Sequence, residues 1–209
     1  MDPYEETHNT WNKVAALYEE KFMDLPIYNA SYDAFCNALN NVNASILEIG
    51  CGPGNITKYL LSKQPNFSVT GIDAAPNMIA LAEKNNPSAI FRLMDCRDIQ
   101  QLNTKYDGII CGFCIPYLSE AAVAKLISDC GLLLQPQGIL YLSFVAGAKT
   151  NSGFQTGVNG RVYFNYYTVE NITELLLVNG FERPTLFNVN YKKSEGDFEL
   201  HTIMLSNKF

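Results

Sequence analysis

Apolar residues along this chain follow two periods, and the switch between them marks the architecture. Between residues 9 and 24, Trp11, Val14, Ala15, Tyr18 and Phe22 recur at helical spacing. Asn9 or Thr10 is placed to cap that helix, and Pro26 to end the segment. Residues 28–42 repeat the pattern, with Tyr32, Phe35, Cys36 and Leu39 on one side. From Ser45 the texture changes. Residues 45–49 form a continuous apolar strand interrupted only by Glu48, and residues 55–64 return to helical spacing. Strands follow over 67–73, 89–95, 106–113 and 138–147, separated by helical stretches over 75–86 and 119–134. Pro76 and Ser119 sit where helices begin. Strand and helix alternate at least four times, which predicts parallel strands joined by crossover helices in a doubly wound open sheet.

Beyond Gly147 the alternation stops. Residues 148–161 are rich in Gly and Asn and read as a loop, and 162–167 read as a short strand. A helix over 168–180 precedes two late strands, 185–192 and 198–205, which flank the turn-like Lys193–Asp197 as a hairpin. There is no internal repeat and no low-complexity tract, so the sequence predicts a single domain over 1–209. It divides into an N-terminal helical cap (1–43), a core (44–147) and a closing segment (148–209).

Composition narrows the function. The chain has 209 residues, 47% of them hydrophobic, enough for one large core. Its formal net charge is −6 and no long Lys/Arg run offsets it, which disfavours a nucleic-acid partner. The apolar runs are too short to span a bilayer, and the start has no basic segment leading into an apolar one, so the reading is no membrane and no signal peptide. The six cysteines lie mostly in apolar runs, as buried reduced thiols do, and a cytoplasmic protein is expected.

The chemistry concentrates in Ser45–Asn55, where the first strand runs into Gly50, Gly52 and Gly54. A glycine-rich turn between a strand and a helix lets backbone approach a ligand closely. A dinucleotide fingerprint requires Gly at the position held by Asn55. A phosphate loop requires Lys directly after its last glycine, where Asn55 also stands. The pattern Glu48-x-Gly50-x-Gly52-x-Gly54 instead resembles the first motif of class I methyltransferases that use S-adenosylmethionine. That cofactor has no phosphate to be held by a lysine. Asp73 follows Gly54 by 19 residues at the tip of the next strand, where ribose hydroxyls are held and where a carboxylate can accept from both.

The resemblance extends over roughly Trp11–Gly147. It implies a Rossmann-like, seven-stranded, mostly parallel sheet of order 3-2-1-4-5-7-6, with helices on both faces and capping helices at the N-terminus. For the cofactor it implies contacts at Glu48, Gly50, Cys51, Gly52, Gly54 and Asn55, then at Asp73, Ala74 and Met78. Asp95 and Cys96, ending the third strand, match the place of the adenine contact, with Asp98 read as the cap of a short helix. Gly112 and Phe113, after the fourth strand, match the segment beside the sulfonium. Residues 11–22 resemble the family's lid helix, whose tyrosine, here Tyr18, lies near the methionine carboxylate. Trp11 reads equally as lid or core. Gln137 stands where the family carries the first glycine of a Leu-x-Pro-Gly-Gly turn.

Other constellations carry less. Cys111 and Cys114 form a C-x-x-C at a strand end rather than a helix start, with neither a second pair nor nearby histidines, so no metal site is expected. Cys111 reads as buried strand and Cys114 as pocket wall. His201 reads as a solvent-facing strand residue. No catalytic triad or carboxylate pair stands out, and the catalytic residue stays unknown. The sequence therefore predicts an S-adenosylmethionine-dependent methyltransferase (product S-adenosylhomocysteine) with a small-molecule acceptor. Two alternatives stay open. A noncatalytic protein binding the cofactor or its spent form would carry the same motifs. An NAD-dependent oxidoreductase is opposed by Asn55.

Overall fold

The computed structural model describes residues 2–157 and 159–209. Its framework is a seven-stranded sheet built from β1 (Ser45–Ile49), β2 (Ser68–Asp73), β3 (Ile90–Leu93), β4 (Tyr106–Gly112), β5 (Leu134–Val145), β8 (Thr185–Ser194) and β9 (Asp197–Asn207). The order is β3-β2-β1-β4-β5-β9-β8. This is the Rossmann-like order implied above, with the last two strands renumbered because a separate ribbon precedes them. β9 alone runs antiparallel to β5, and β8 pairs back on it as the expected hairpin.

The sheet is covered on both sides, which is why its central strands read as continuous apolar runs. One face presents Leu47, Ile109, Cys111, Leu140, Leu142 and Met204 to α5 (Glu120–Leu133) and α6 (Val169–Val178). The other presents Ile46, Ile110, Ile139, Tyr141 and Ile203 to α2 (Asn29–Ala38) and α3 (Asn55–Lys63). α4 (Pro76–Asn85) closes the edge, with Ile79 and Ala82 against Phe91 and Cys51. Register places the functional edge. Ile49 of β1 lies opposite both Ile72 of β2 and Cys111 of β4, so Gly50, Asp73 and Gly112 leave the sheet side by side at its C-terminal edge. Gln137 takes a left-handed φ of 62°, the conformation a glycine would adopt at lower cost.

Three local expectations are corrected. The first helix, α1, spans Pro3–Phe22 rather than starting at Asn9 or Thr10. Asp2 caps it by accepting from the Tyr4 N–H at 3.3 Å, Pro3 fits the first turn, and Glu5 and Glu6 complement the helix N-terminus. The stretch 148–161 is not all loop. Gly153–Gly157 (β6) and Gly160–Phe164 (β7) pair as an antiparallel ribbon. The cap of the 3-10 helix Cys96–Gln101 is Asp95, not Asp98, because Asp95 has extended backbone and accepts from the Arg97 N–H.

Candidate functional site

A cavity of about 470 Å³ opens at the C-terminal edge of the parallel strands. Gly50, Gly52 and Asn55 line it from the β1–α3 loop, Asp73, Ala74 and Met78 from the end of β2 and the start of α4. Cys96 follows β3, and Gly112 and Phe113 end β4. Tyr18 and Trp11 of α1 complete the wall over the loop. The structure thus brings ten of the fourteen residues assigned to the cofactor into one cavity: Tyr18, Gly50, Gly52, Asn55, Asp73, Ala74, Met78, Cys96, Gly112 and Phe113.

The other four stand behind the wall. Glu48 is fully buried and faces α3, where it accepts from the Thr57 hydroxyl. Cys51 turns into the small core against α4. At Gly54, with φ of 82°, a side chain would collide with the Asn86 amide that bonds to the Gly54 carbonyl at 3.0 Å. Asp95 is engaged by Arg97 through Nε to Oδ1 at 3.0 Å and Nη2 to Oδ2 at 2.6 Å, while its neighbours Met94 and Cys96 reach the cavity. Burial pushes the Asp95 carboxyl up, but the Arg97 hydrogen bonds and charge outweigh it and hold the group below the usual range.

Electrostatics suit a ligand with hydroxyls and positive charge. Asp73 holds the loop: Oδ2 accepts from the Gly52 N–H at 2.9 Å and Oδ1 from the Ala75 N–H at 2.8 Å. Burial raises its pKa against the pull of those amides. Each oxygen keeps a lone pair for a further donor. Burial raises Glu48 to about 8, and its buried Oε1 has no hydrogen-bond partner among the described residues, a position that a neighbouring cation would relieve. Gly52 differs from Gly54 in facing the cavity without a clash: a side chain there would point toward Tyr18 at 3.7 Å and Met78 at 4.0 Å, in ordinary contact. A cofactor with bare backbone, ribose and cationic contacts therefore fits these residues.

One residue and one pairing escaped sequence reasoning. His201 is not solvent-facing. It is 6% exposed, lines the cavity, and bonds to Tyr28 and Glu199. Its parity with buried Ile203 on the same strand was the available signal. Cys96 and Cys114, distant in sequence, bring their sulfurs to 3.6 Å on the cavity wall. Cys111 is buried behind them. Among the described residues no group of three or more His, Cys, Asp or Glu is arranged to hold a metal ion, and no helix is long and apolar enough to cross a membrane.

Comparison with known proteins follows the same line. Residues 46–138 match the family described as a methyltransferase domain. The malonyl-[acyl-carrier protein] O-methyltransferase of Priestia megaterium is 30% identical over 161 residues, covering 69% of this chain and 57% of that protein. The trans-aconitate 2-methyltransferase of Escherichia coli is 35% identical over 95 residues, 46% of this chain and 36% of that one. The chain thus spans little more than half the length of these curated relatives at most. Among solved structures, the magnesium protoporphyrin IX methyltransferase of Synechocystis PCC 6803 with bound S-adenosylmethionine superposes with a TM-score of 0.75. The identity is 18%, over 100% of this chain and 98% of that one, a likeness of fold. Residues 46–138 thus match a methyltransferase domain, and the fold around them is that of the class I S-adenosylmethionine-dependent methyltransferases. The cofactor of that class is S-adenosylmethionine.

Proposed function

We propose that the protein transfers the methyl group of S-adenosylmethionine to a small-molecule acceptor. The observation that carries this reading is Asp73, held between the Gly52 and Ala75 amides at the cavity edge with lone pairs to spare. In the proposal Asp73 accepts from both ribose hydroxyls, and the bare backbone of Gly50 and Gly52 admits the methionyl portion. Glu48 stands behind the loop, where positive charge at that end would draw its buried carboxyl toward the ionised form, and Tyr18 closes over it. Met94, Cys96 and the capped turn at Asp95 border the adenine, with Ala74 and Met78 beside the ribose. Gly112 and Phe113 border the reacting centre. When bound, the cofactor supplies an electrophilic methyl on a sulfonium. The chain's part is to hold two reactants in line and exclude water. The division into cap (1–43), cofactor core (44–147) and acceptor side (148–209) belongs to the same proposal. Curated relatives whose names specify an acceptor methylate malonyl-[acyl-carrier protein] and trans-aconitate, which supports transfer to organic acceptors without fixing this chain's own.

Calorimetry tests it. S-adenosylhomocysteine should bind at one site and NAD should not. The reverse would restore the oxidoreductase reading. Asp73→Ala should weaken S-adenosylhomocysteine binding at least tenfold, since hydrogen bonds to a charged group contribute roughly 1.5–3 kcal/mol each. Wild type should lose affinity for the 2′,3′-dideoxy analogue and the variant should not. Equal discrimination by both would remove Asp73 from the ribose.

A further inference from the structure

The cavity continues past the end of β4 to a group the cofactor reading leaves unused. His201 of β9 lies opposite Val145 at the C-terminal end of β5. It is four strand positions from Asp73, roughly 19 Å at the spacing of neighbouring strands. Phe113, at the tip of β4, stands between them with its ring 4.7 Å from the imidazole. Nδ1 of His201 is 2.8 Å from the Tyr28 hydroxyl, and Nε2 is 3.1 Å from Glu199 Oε2. A carboxylate only accepts, so Nε2 carries the proton and Nδ1 accepts from the Tyr28 O–H. All three residues line the cavity.

We propose that Tyr28, His201 and Glu199 form a proton relay for the methyl acceptor, and that the acceptor is a phenol. The proposal rests on the methyltransferase reading above. The relay selects a weakly acidic O–H, because a carboxylic acid is already ionised near neutral pH and needs no base. The walls select a flat ring. Tyr191 stacks on His201 at 4.9 Å and 10°, Tyr28 at 6.0 Å and 6°, and Phe22 continues the stack on Tyr191 at 6.2 Å. Aromatic faces of this kind prefer an aromatic guest. In the step, the phenol passes its proton to Tyr28 Oη as Tyr28 passes its own to His201 Nδ1. The phenol oxygen bonds to the methyl carbon as the carbon–sulfur bond breaks, its electron pair staying on sulfur. The products are an aryl methyl ether and a thioether, and the imidazolium returns its proton to solvent. Tyr28 is the group that touches the acceptor; His201 and Glu199 position and discharge it.

The groups facing His201 set its protonation. Tyr28 comes from the turn before α2, Tyr191 and Lys193 from β8, Glu199 from its own strand, and Lys21 of α1 lies 5.6 Å from the Tyr191 ring. Lys193 binds Glu199 at 3.3 Å. Burial lowers the imidazole pKa and outweighs the opposing pull of Glu199, so the ring is neutral and able to accept.

The test uses the full chain, labelled S-adenosylmethionine, and paired probes: phenol, catechol and 4-nitrophenol against benzoate and phenylacetate. Methyl ether from at least one phenol and no ester from either acid is expected. Tyr28→Phe should lower kcat for that phenol by about 10²–10⁴ and leave S-adenosylhomocysteine affinity in calorimetry unchanged. His201→Gln should remove the acid limb of the kcat/KM pH profile, which a packing defect alone would not do. Transfer to the acids but to no phenol, no transfer to any phenol by a chain that binds S-adenosylhomocysteine, or full activity in Tyr28→Phe would each overturn the relay. A wild-type chain that does not bind S-adenosylhomocysteine would instead overturn the cofactor reading.

Discussion

Glu48 shows how one residue joins the site to stability. Its folded pKa of about 8 lies above the ordinary 4.5, so the folded state binds the proton more tightly than the unfolded chain. The stability it contributes is therefore complete below about pH 4.5 and is lost as pH rises toward 8. Glu48→Gln should flatten that slope, making the variant more stable than wild type at pH 8 by on the order of a few kcal/mol. The difference should vanish in urea unfolding at pH 4. The glycines divide in another way. Gly54→Ala meets Asn86 in a left-handed backbone and should cost about 1–3 kcal/mol of stability. Gly52→Ala carries the same left-handed strain, at a φ of 52°, but no clash with a neighbour, so it should lose S-adenosylhomocysteine affinity with a smaller change in urea midpoint than Gly54→Ala. The glycines and Asp73 were legible in sequence because their spacing is local. His201 was not, because its burial depends on Tyr28 and Tyr191, residues brought to it by other elements. Asp95 and Asp98 were confused because both can cap a short turn and only backbone conformation separates them.

Among the elements, the alternating core was readable and the segment after Gly147 was not. Parallel strands announce themselves as apolar runs, whereas β6 is largely exposed, β7 at most half-buried, and both are short and carry Gly. Their partner is α1. Thr10 Oγ1 donates to the Arg161 carbonyl at 2.8 Å, the Tyr163 N–H donates to Thr7 Oγ1 at 3.2 Å, and Arg161 Nη2 reaches Glu6 at 3.1 Å. Helix and ribbon should therefore gain hydrogen-exchange protection together when S-adenosylhomocysteine is added. Thr10→Val removes one such bond, worth about 1 kcal/mol, and should lower ribbon protection about fivefold. Ribbon exchange unchanged in that variant would show that the helix does not hold it.

At the scale of the whole molecule, binding and folding are linked. A ligand at about 100 times its Kd adds about 2.7 kcal/mol to stability, which for a chain of this size raises Tm by about 5–10 °C. S-adenosylhomocysteine should produce that shift in a thermal scan and NAD none. The clasp between Glu6 and Arg161, 155 residues apart, has a further bearing. Whatever fits the cavity must suit a rim whose two halves are tied to each other as well as to the sheet. In a breeder's terms, the rim is a linked trait: an exchanged ribbon grafted without its matching helix would arrive unmoored. New acceptor preferences should therefore transfer between relatives when residues 3–22 and 153–164 travel as a pair, over a sheet that need not change.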